Sequence, residues 1–236
     1  MKYADPAVAA FIVIPLLLVA ALTWGTAVAW RRSGATRGTS TRAAIVCGAA
    51  ALIWMSITWA AAESGILRNW DQTPPPFAFL VLAIVGLAAA IAWSPLGLRL
   101  ARFIPLWILV AVQAFRLPLE LAMHEIYERG IMPEQMSYSG LNFDIVTGAT
   151  AIIVSAIVRS GRGGRRLVAT WNVLGLLLLI NIVTVAILAT PRFRYFGDAA
   201  LNTWVMDPPF VWLPAVMVLA ALAGHLLILR ALRLQN

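Results

Sequence analysis

The sequence predicts an all-α integral membrane bundle of seven transmembrane helices, with the N-terminus outside and the C-terminus in the cytoplasm. Three observations predict it. The 236 residues are 61% hydrophobic and only 12% charged, whereas a soluble domain carries about 25% charged residues. Too little polar surface remains to cover a water-soluble globule, so a bilayer is the expected solvent. The apolar residues fall into runs that approach the roughly 20 residues needed to cross hydrocarbon, and the loops between those runs alternate in charge.

The spans are expected near 8–30, 43–63, 77–93, 104–128, 143–159, 167–190 and 209–230. They use most of the chain, so 1–236 is read as a single domain with no soluble appendage. The first run is too long for the apolar core of a secretory signal, and Arg31 and Arg32 follow it instead of preceding it. The third is the shortest. Arg31, Arg32, Arg37 and Arg42 flank the first connection, Arg99 and Arg102 the third, and Arg159, Arg162, Arg165 and Arg166 the fifth, with Arg230 and Arg233 in the tail. Those segments hold no acidic residue. The opposite connections hold Lys2, Arg68, Arg129, Arg192 and Arg194 against Asp5, Glu63, Asp71, Glu125, Glu128, Glu134, Asp198 and Asp207. An excess of basic residues marks cytoplasmic loops, so the arginine-rich side is expected inside a cell (cytoplasmic or inner) membrane. Trp30, Trp93, Trp107 and Trp171 fall at inner span ends and Trp70, Trp204 and Trp212 at outer ones, where an amphipathic indole prefers to sit.

The net charge of +8 is almost wholly arginine, with Lys2 the one lysine. Because the charges sit in short loops between apolar runs, they read as orientation signals, and nucleic acid is not an expected partner. The expected partners are the lipid bilayer, a small-molecule ligand, and a membrane protein or a second copy of the chain. Cys47 is the single cysteine, which rules out an internal disulfide and a cysteine-based zinc site. The glycine-rich stretches 33–38 and 160–164 read as turns; they lack the lysine and the strand-to-helix context of a phosphate-cradling loop.

The fourth run carries the chemistry. Gln113, Arg116, Glu120, His124 and Tyr127 step by threes and fours, which keeps them on one face of a helix. Gln113 is expected near mid-membrane, Arg116 and Glu120 in the outer half, and His124 near the outer boundary. A charge at the bilayer centre costs about 2.5–3.5 kcal/mol on insertion scales. These residues are therefore expected to pair and to face the bundle interior or a cavity. Pro118 between them has no N–H to give the Ala114 carbonyl, so a kink is expected there. The fifth run brings Asn142 and Asp144 to the same depth, followed by Thr147, Gly148, Ala151 and Ser155 on one face, small enough for close helix approach. The sixth contributes Asn181 and Thr184.

No cofactor is evident. A retinal Schiff base is excluded because the last run has no lysine; its polar residue is His225, expected as a packed or interfacial histidine. With only His124 and His225, near opposite faces, a multi-histidine metal cluster or a bis-histidine haem is excluded. One divalent-metal arrangement survives: Glu120 and His124 one turn apart, with Asp144 as a third ligand, a donor set suited to zinc, manganese or iron.

The stretch 113–149, with Trp171-Asn172, Asn181, Pro214 and His225, resembles a family of uncharacterised bacterial seven-span membrane proteins. The pattern is a Gln-x-x-Arg-x-x-x-Glu-x-x-x-His helix followed by Gly130, Pro133, Met136, Asn142-Phe143-Asp144 and Gly148. The resemblance implies a bacterial membrane location and attaches no activity, substrate or cofactor.

The residues support three functional expectations. The first is a small transporter or binding protein with an outward-facing pocket. There Arg116 meets an anionic group, Glu120, His124 and Asp144 supply proton coupling or hydrogen bonds, and Gln113, Asn142 and Asn181 orient the ligand. The second is a membrane-embedded, metal-dependent enzyme acting on a lipid or isoprenoid-like substrate. The third is an accessory subunit whose polar stripe packs against a partner's helix. A purely structural ion pair that fixes helix register competes with all three.

Overall fold

The computed structural model describes residues 5–235; Lys2, assigned above to the acidic side, lies outside the described residues. Every regular element among the described residues is helical. Helix α1 (Pro6–Arg32) starts where Asp5 Oδ1 accepts the Ala7 N–H at 2.9 Å and Pro6 occupies a first-turn position that needs no donor. A turn through Gly34, at φ 87°, leads to α2 (Arg37–Glu63), capped by Thr36 Oγ1 accepting from the Thr39 N–H. The two helices form a hairpin that closes tightly at Gly48, where a Cβ would lie 2.9 Å from Thr23 Oγ1.

Helix α3 (Pro76–Trp93) runs into α4 (Pro95–Phe103), a nine-residue helix in the segment read from sequence as a loop. The local cause is plain: Ser94 Oγ accepts the Gly97 N–H at 3.1 Å, and Pro95 sits in the first turn. The fourth apolar run is one path in three pieces, α5 (Leu106–Val112), a 3₁₀ turn (Gln113–Phe115) and α6 (Arg116–Glu128). The tightened turn stands where Pro118 deprives the helix of a donor, so the irregularity anticipated at Pro118 takes this form. Helices α7 (Asp144–Arg159) and α8 (Arg165–Leu188) follow. The chain ends in a π-helical segment (Leu213–Val218) continuous with α9 (Leu219–Leu234).

Six of these paths are long and apolar enough to cross a membrane: α1, α2, α3, Leu106–Glu128, α8 and Leu213–Leu234. The expected fifth span is the exception. Helix α7 has 16 residues, about 24 Å at 1.5 Å per residue, against a hydrocarbon core of about 30 Å. The last span begins four residues later than expected, because Trp204–Met206 and the residues up to Trp212 belong to a folded loop.

The helix ends sort by charge. At one end Arg32 Nη1 donates to the Phe103 carbonyl, Arg230 Nη1 to that of Ala92, and Arg165 Nη1 to that of Gln235, while Arg99 lies over the Trp30 ring and Arg159 over Trp107. At the opposite end Arg129 pairs with Asp5 and Glu125, Arg68 with Asp207, and Arg194 with Asp198. These exposed pairs stitch loops together and each contributes little, about 0–1 kcal/mol. The larger apolar core lies toward this acidic end. Phe11 of α1 meets Trp204 and Phe210 edge to face, at 5.8 and 5.1 Å, so the 189–212 loop covers the bundle there.

The π segment has a visible use. Pro214 offers no N–H, and in the widened turn the Ala215 carbonyl accepts the Trp54 indole N–H at 2.8 Å. Trp212 returns the gesture to the Met55 carbonyl at 3.0 Å, and its ring packs on Trp59. These contacts pin the half of α2 nearer the acidic end to the bundle.

Candidate functional site

The polar residues of α6, α7, α8 and α9 meet in the bundle interior. Arg116, at the first turn of α6, is 1% exposed. Its Nη2 lies 3.0 Å from Asp144 Oδ2, an ionic contact out of line for a hydrogen bond, and its Nη1 lies 3.0 Å from His225 Nε2. A guanidinium only donates, so Nε2 accepts. The imidazole hydrogen therefore sits on Nδ1, which reaches Asn172 Oδ1 at 2.8 Å. Asn172 completes the grip by donating from Nδ2 to the His225 carbonyl at 3.2 Å. The chain Asp144–Arg116–His225–Asn172 thus ties four helices together.

Glu120, one turn along α6, does not pair with Arg116. Its Oε2 accepts from Asn142 Nδ2 at 2.7 Å, and Nδ2 also donates to the Met136 carbonyl at 3.0 Å. Asn142 Oδ1 in turn accepts the Asp144 N–H at 3.0 Å, which caps the start of α7. Asn142 thereby joins the Glu120 carboxylate to the backbone at the start of α7. This polar start explains the shortness of α7: the helix begins inside the bundle, against α6, instead of at its end.

Three glycines make room for the cluster. A Cβ on Gly148 of α7 would lie 2.3 Å from the Leu117 backbone nitrogen, so α7 and the first turn of α6 are in backbone contact. A Cβ on Gly175 of α8 would lie 2.7 Å from His225 Cε1, and one on Gly224 of α9 would lie 2.0 Å from Gln113 Nε2. Small residues at these crossings let polar side chains lie between closely packed helices.

Beside the cluster is a cavity of about 370 Å³, within the size range of small-molecule sites. Arg116, Glu120, Asn142 and Asp144 form part of its wall, and nearly all the rest is aliphatic or aromatic. Loop residues Met136, Asn202 and Val205 close it toward the acidic end. Its exposed rim is Val85 on α3 and Ile180 on α8, 50% and 52% accessible, so it opens sideways between those helices. The Asp144 carboxyl is buried, and the Thr147 hydroxyl one turn along α7 is its hydrogen-bonding neighbour.

A family model described as a domain of unknown function, DUF8737, matches residues 75–233. The chain belongs to this family. The matched region contains the whole cluster and every cavity-lining residue, and excludes α1 and α2. No curated protein and no solved structure matches the chain.

Of the residues singled out in the sequence, Arg116, Glu120, Asn142 and Asp144 are brought together on one wall. Gln113 is fully buried but turns to the Ala221 carbonyl, at 3.3 Å. Asn181 donates to the Leu141 carbonyl at 2.8 Å and braces the loop before α7. His124, on α6, also turns to that loop: its Nδ1 lies 2.9 Å from Ser137 Oγ, and its ring stacks on Tyr138 at 4.4 Å. The metal set Glu120, His124 and Asp144 therefore does not converge, and among the described residues no three histidine, cysteine or carboxylate side chains are placed to hold an ion. His225, expected as a packed or interfacial residue, is packed, and it is also a member of the cluster. Asn172 was also missed as a site residue. The available signal was a polar residue in mid-span with glycine nearby, Asn172 with Gly175 and His225 with Gly224.

Proposed function

We propose that the chain is a bacterial inner-membrane protein that binds an amphiphilic ligand from the bilayer, as a carrier or receptor. In this reading the chain has seven spans, with the arginine-rich end in the cytoplasm and α7 as a short span that starts within the bundle. The positive-inside rule supports this orientation. Irregular backbone at membrane depth is tolerated where protein buries it, which supports the short span.

The observation that carries the ligand class is the charge arrangement of the cavity wall. One guanidinium faces two carboxyls, and that guanidinium is already engaged by Asp144 and His225. An anionic headgroup would have to displace those partners. The unclaimed capacity on the wall is acceptor capacity on the Glu120 carboxyl, which accepts one hydrogen bond, from Asn142. A ligand with an amine or hydroxyl head and an apolar tail fits both halves of the site. This replaces the small anion expected from sequence. The sideways rim at Val85 and Ile180 favours a route from the bilayer over one from water.

Native mass spectrometry of the protein in lipid nanodiscs, with dodecylamine and dodecanol as probes, tests the site. One adduct per chain is expected, and it is lost in Val183→Trp, which fills the aliphatic wall from a half-buried position. Equal adducts in the folded variant would overturn the assignment.

A further inference from the structure

A second cavity lies at the other end of the bundle, and nothing in the cluster uses it. It is a wedge of about 760 Å³ walled by α1 and the half of α2 nearer the arginine-rich end on one side and by α3, α4, α5 and α9 on the other. Its walls are almost wholly apolar, and Trp24 and Val46, 53% and 61% accessible, stand at its open side. Helix α2 is fastened to the bundle at its far half, through Trp54, Met55 and Trp59. Its near half packs on α1 at Gly48 but stands off α4, α5 and α9, with the wedge between.

The geometry points to one occupant. Along α2 the wedge runs from Thr39 and Arg42 to Met55, about 20 Å at 1.5 Å per residue. That is long enough to span one leaflet, about 15 Å of a hydrocarbon core about 30 Å thick, and to reach the headgroup level above it. The deep end is closed by Met55, Ala215 and Val216, so the space has the length and polarity of acyl chains. The mouth carries charge of one sign. Arg42 lines it, is exposed, and forms no ion pair within the described residues. Trp30, also on the wall, is covered by Arg99, and Arg32 lies beside it in sequence and reaches the Phe103 carbonyl. No acidic residue occurs in 6–62 or 72–119, the segments that build the mouth.

We infer that the wedge seats one anionic phospholipid of the leaflet at the arginine-rich end, its chains between α2 and α5 and its phosphate at Arg42. A juxtamembrane arginine attracts an anionic headgroup, and here the seat is a preformed apolar slot instead of a flat surface.

The full chain in nanodiscs of mixed phosphatidylglycerol and phosphatidylcholine, released and weighed by native mass spectrometry, tests the inference. One retained phosphatidylglycerol per chain is expected, favoured over phosphatidylcholine by about fivefold or more, the effect of one basic residue beside an anionic headgroup. Arg42→Gln should abolish the preference and Arg42→Lys should keep it. Ala50→Trp, which narrows the slot, should lose the retained lipid altogether. Phosphatidylglycerol held equally well by Arg42→Gln, or lipid retained unchanged in Ala50→Trp, would overturn it. Amine binding at Glu120 is read separately, so the two sites fail or succeed independently.

Discussion

The two cavities differ in where their charge sits, and that difference assigns them different tasks. The cavity beside α6 has its charges at its depth and buried, Arg116 held by Asp144 and His225 and Glu120 by Asn142, among three close-packed glycines. The wedge beside α2 has charge only at its mouth, exposed and uncommitted. Buried charge demands rigid, complete partnering, because an unpaired ion in a low-dielectric interior is strongly destabilising. Charge at a membrane interface remains hydrated and demands no such precision. The first region should therefore be intolerant of small changes and the second forgiving.

The largest effect should come from Gly148→Ala. Its new Cβ meets backbone at 2.3 Å, and neither α6 nor α7 can yield without breaking the Arg116–Asp144 contact. Loss of the monodisperse protein, or a fall of many degrees in its unfolding temperature in detergent, is expected. Gly25→Ala in the wedge meets only Leu100 Cδ2 at 3.6 Å and should leave that temperature unchanged. Similar behaviour of the two variants would remove the contrast.

Next in size is Asp144→Asn, which leaves Arg116 buried without its counter-charge and should cost about 3–5 kcal/mol. The double variant Arg116→Met with Asp144→Leu removes both charges and should be the more stable of the two in a denaturant titration. The reverse order would mean that the pair is not the electrostatic centre of the cluster. Asn172→Leu strands the His225 N–H and should cost about 1–3 kcal/mol, again by denaturant titration. Trp54→Phe removes a single N–H···O contact to Ala215 and should cost about 1 kcal/mol, with faster proteolysis in the connection between α2 and α3 as its local signature. Arg42→Gln, at an exposed position, should change stability by no more than about 0.5 kcal/mol.

Much of this contrast was legible in the sequence. Long apolar runs with arginines on alternate connections located the helices, and the three- and four-residue spacing of Gln113, Arg116, Glu120 and His124 located the site. The same spacing could not say where each side chain points once the helix is irregular. The 3₁₀ turn at Gln113–Phe115 and the loop around Ser137 send Gln113 toward α9 and His124 out of the cluster. His225 and Asn172 were passed over as site residues for a related reason: neither has a polar neighbour three or four residues away on its own helix. Only the packing of α6, α8 and α9 at Gly175 and Gly224 turns them into partners of Arg116. Helix α4 was hidden because nine residues with two arginines resemble a basic loop until the Ser94 cap is seen. The wedge left no periodic signature at all, since it follows from where α2 is fastened by its tryptophans.

The central claim is that the wall beside α6 offers a carboxyl, not a guanidinium, to its ligand. The most direct test is competition between dodecylamine and dodecanoic acid for the wild-type protein and Glu120→Gln in nanodiscs. The amine should be preferred in the wild type by about tenfold or more, equivalent to about 1.4 kcal/mol, and the preference should vanish in Glu120→Gln. Preference for the acid, or an amine preference that survives in Glu120→Gln, would contradict the account.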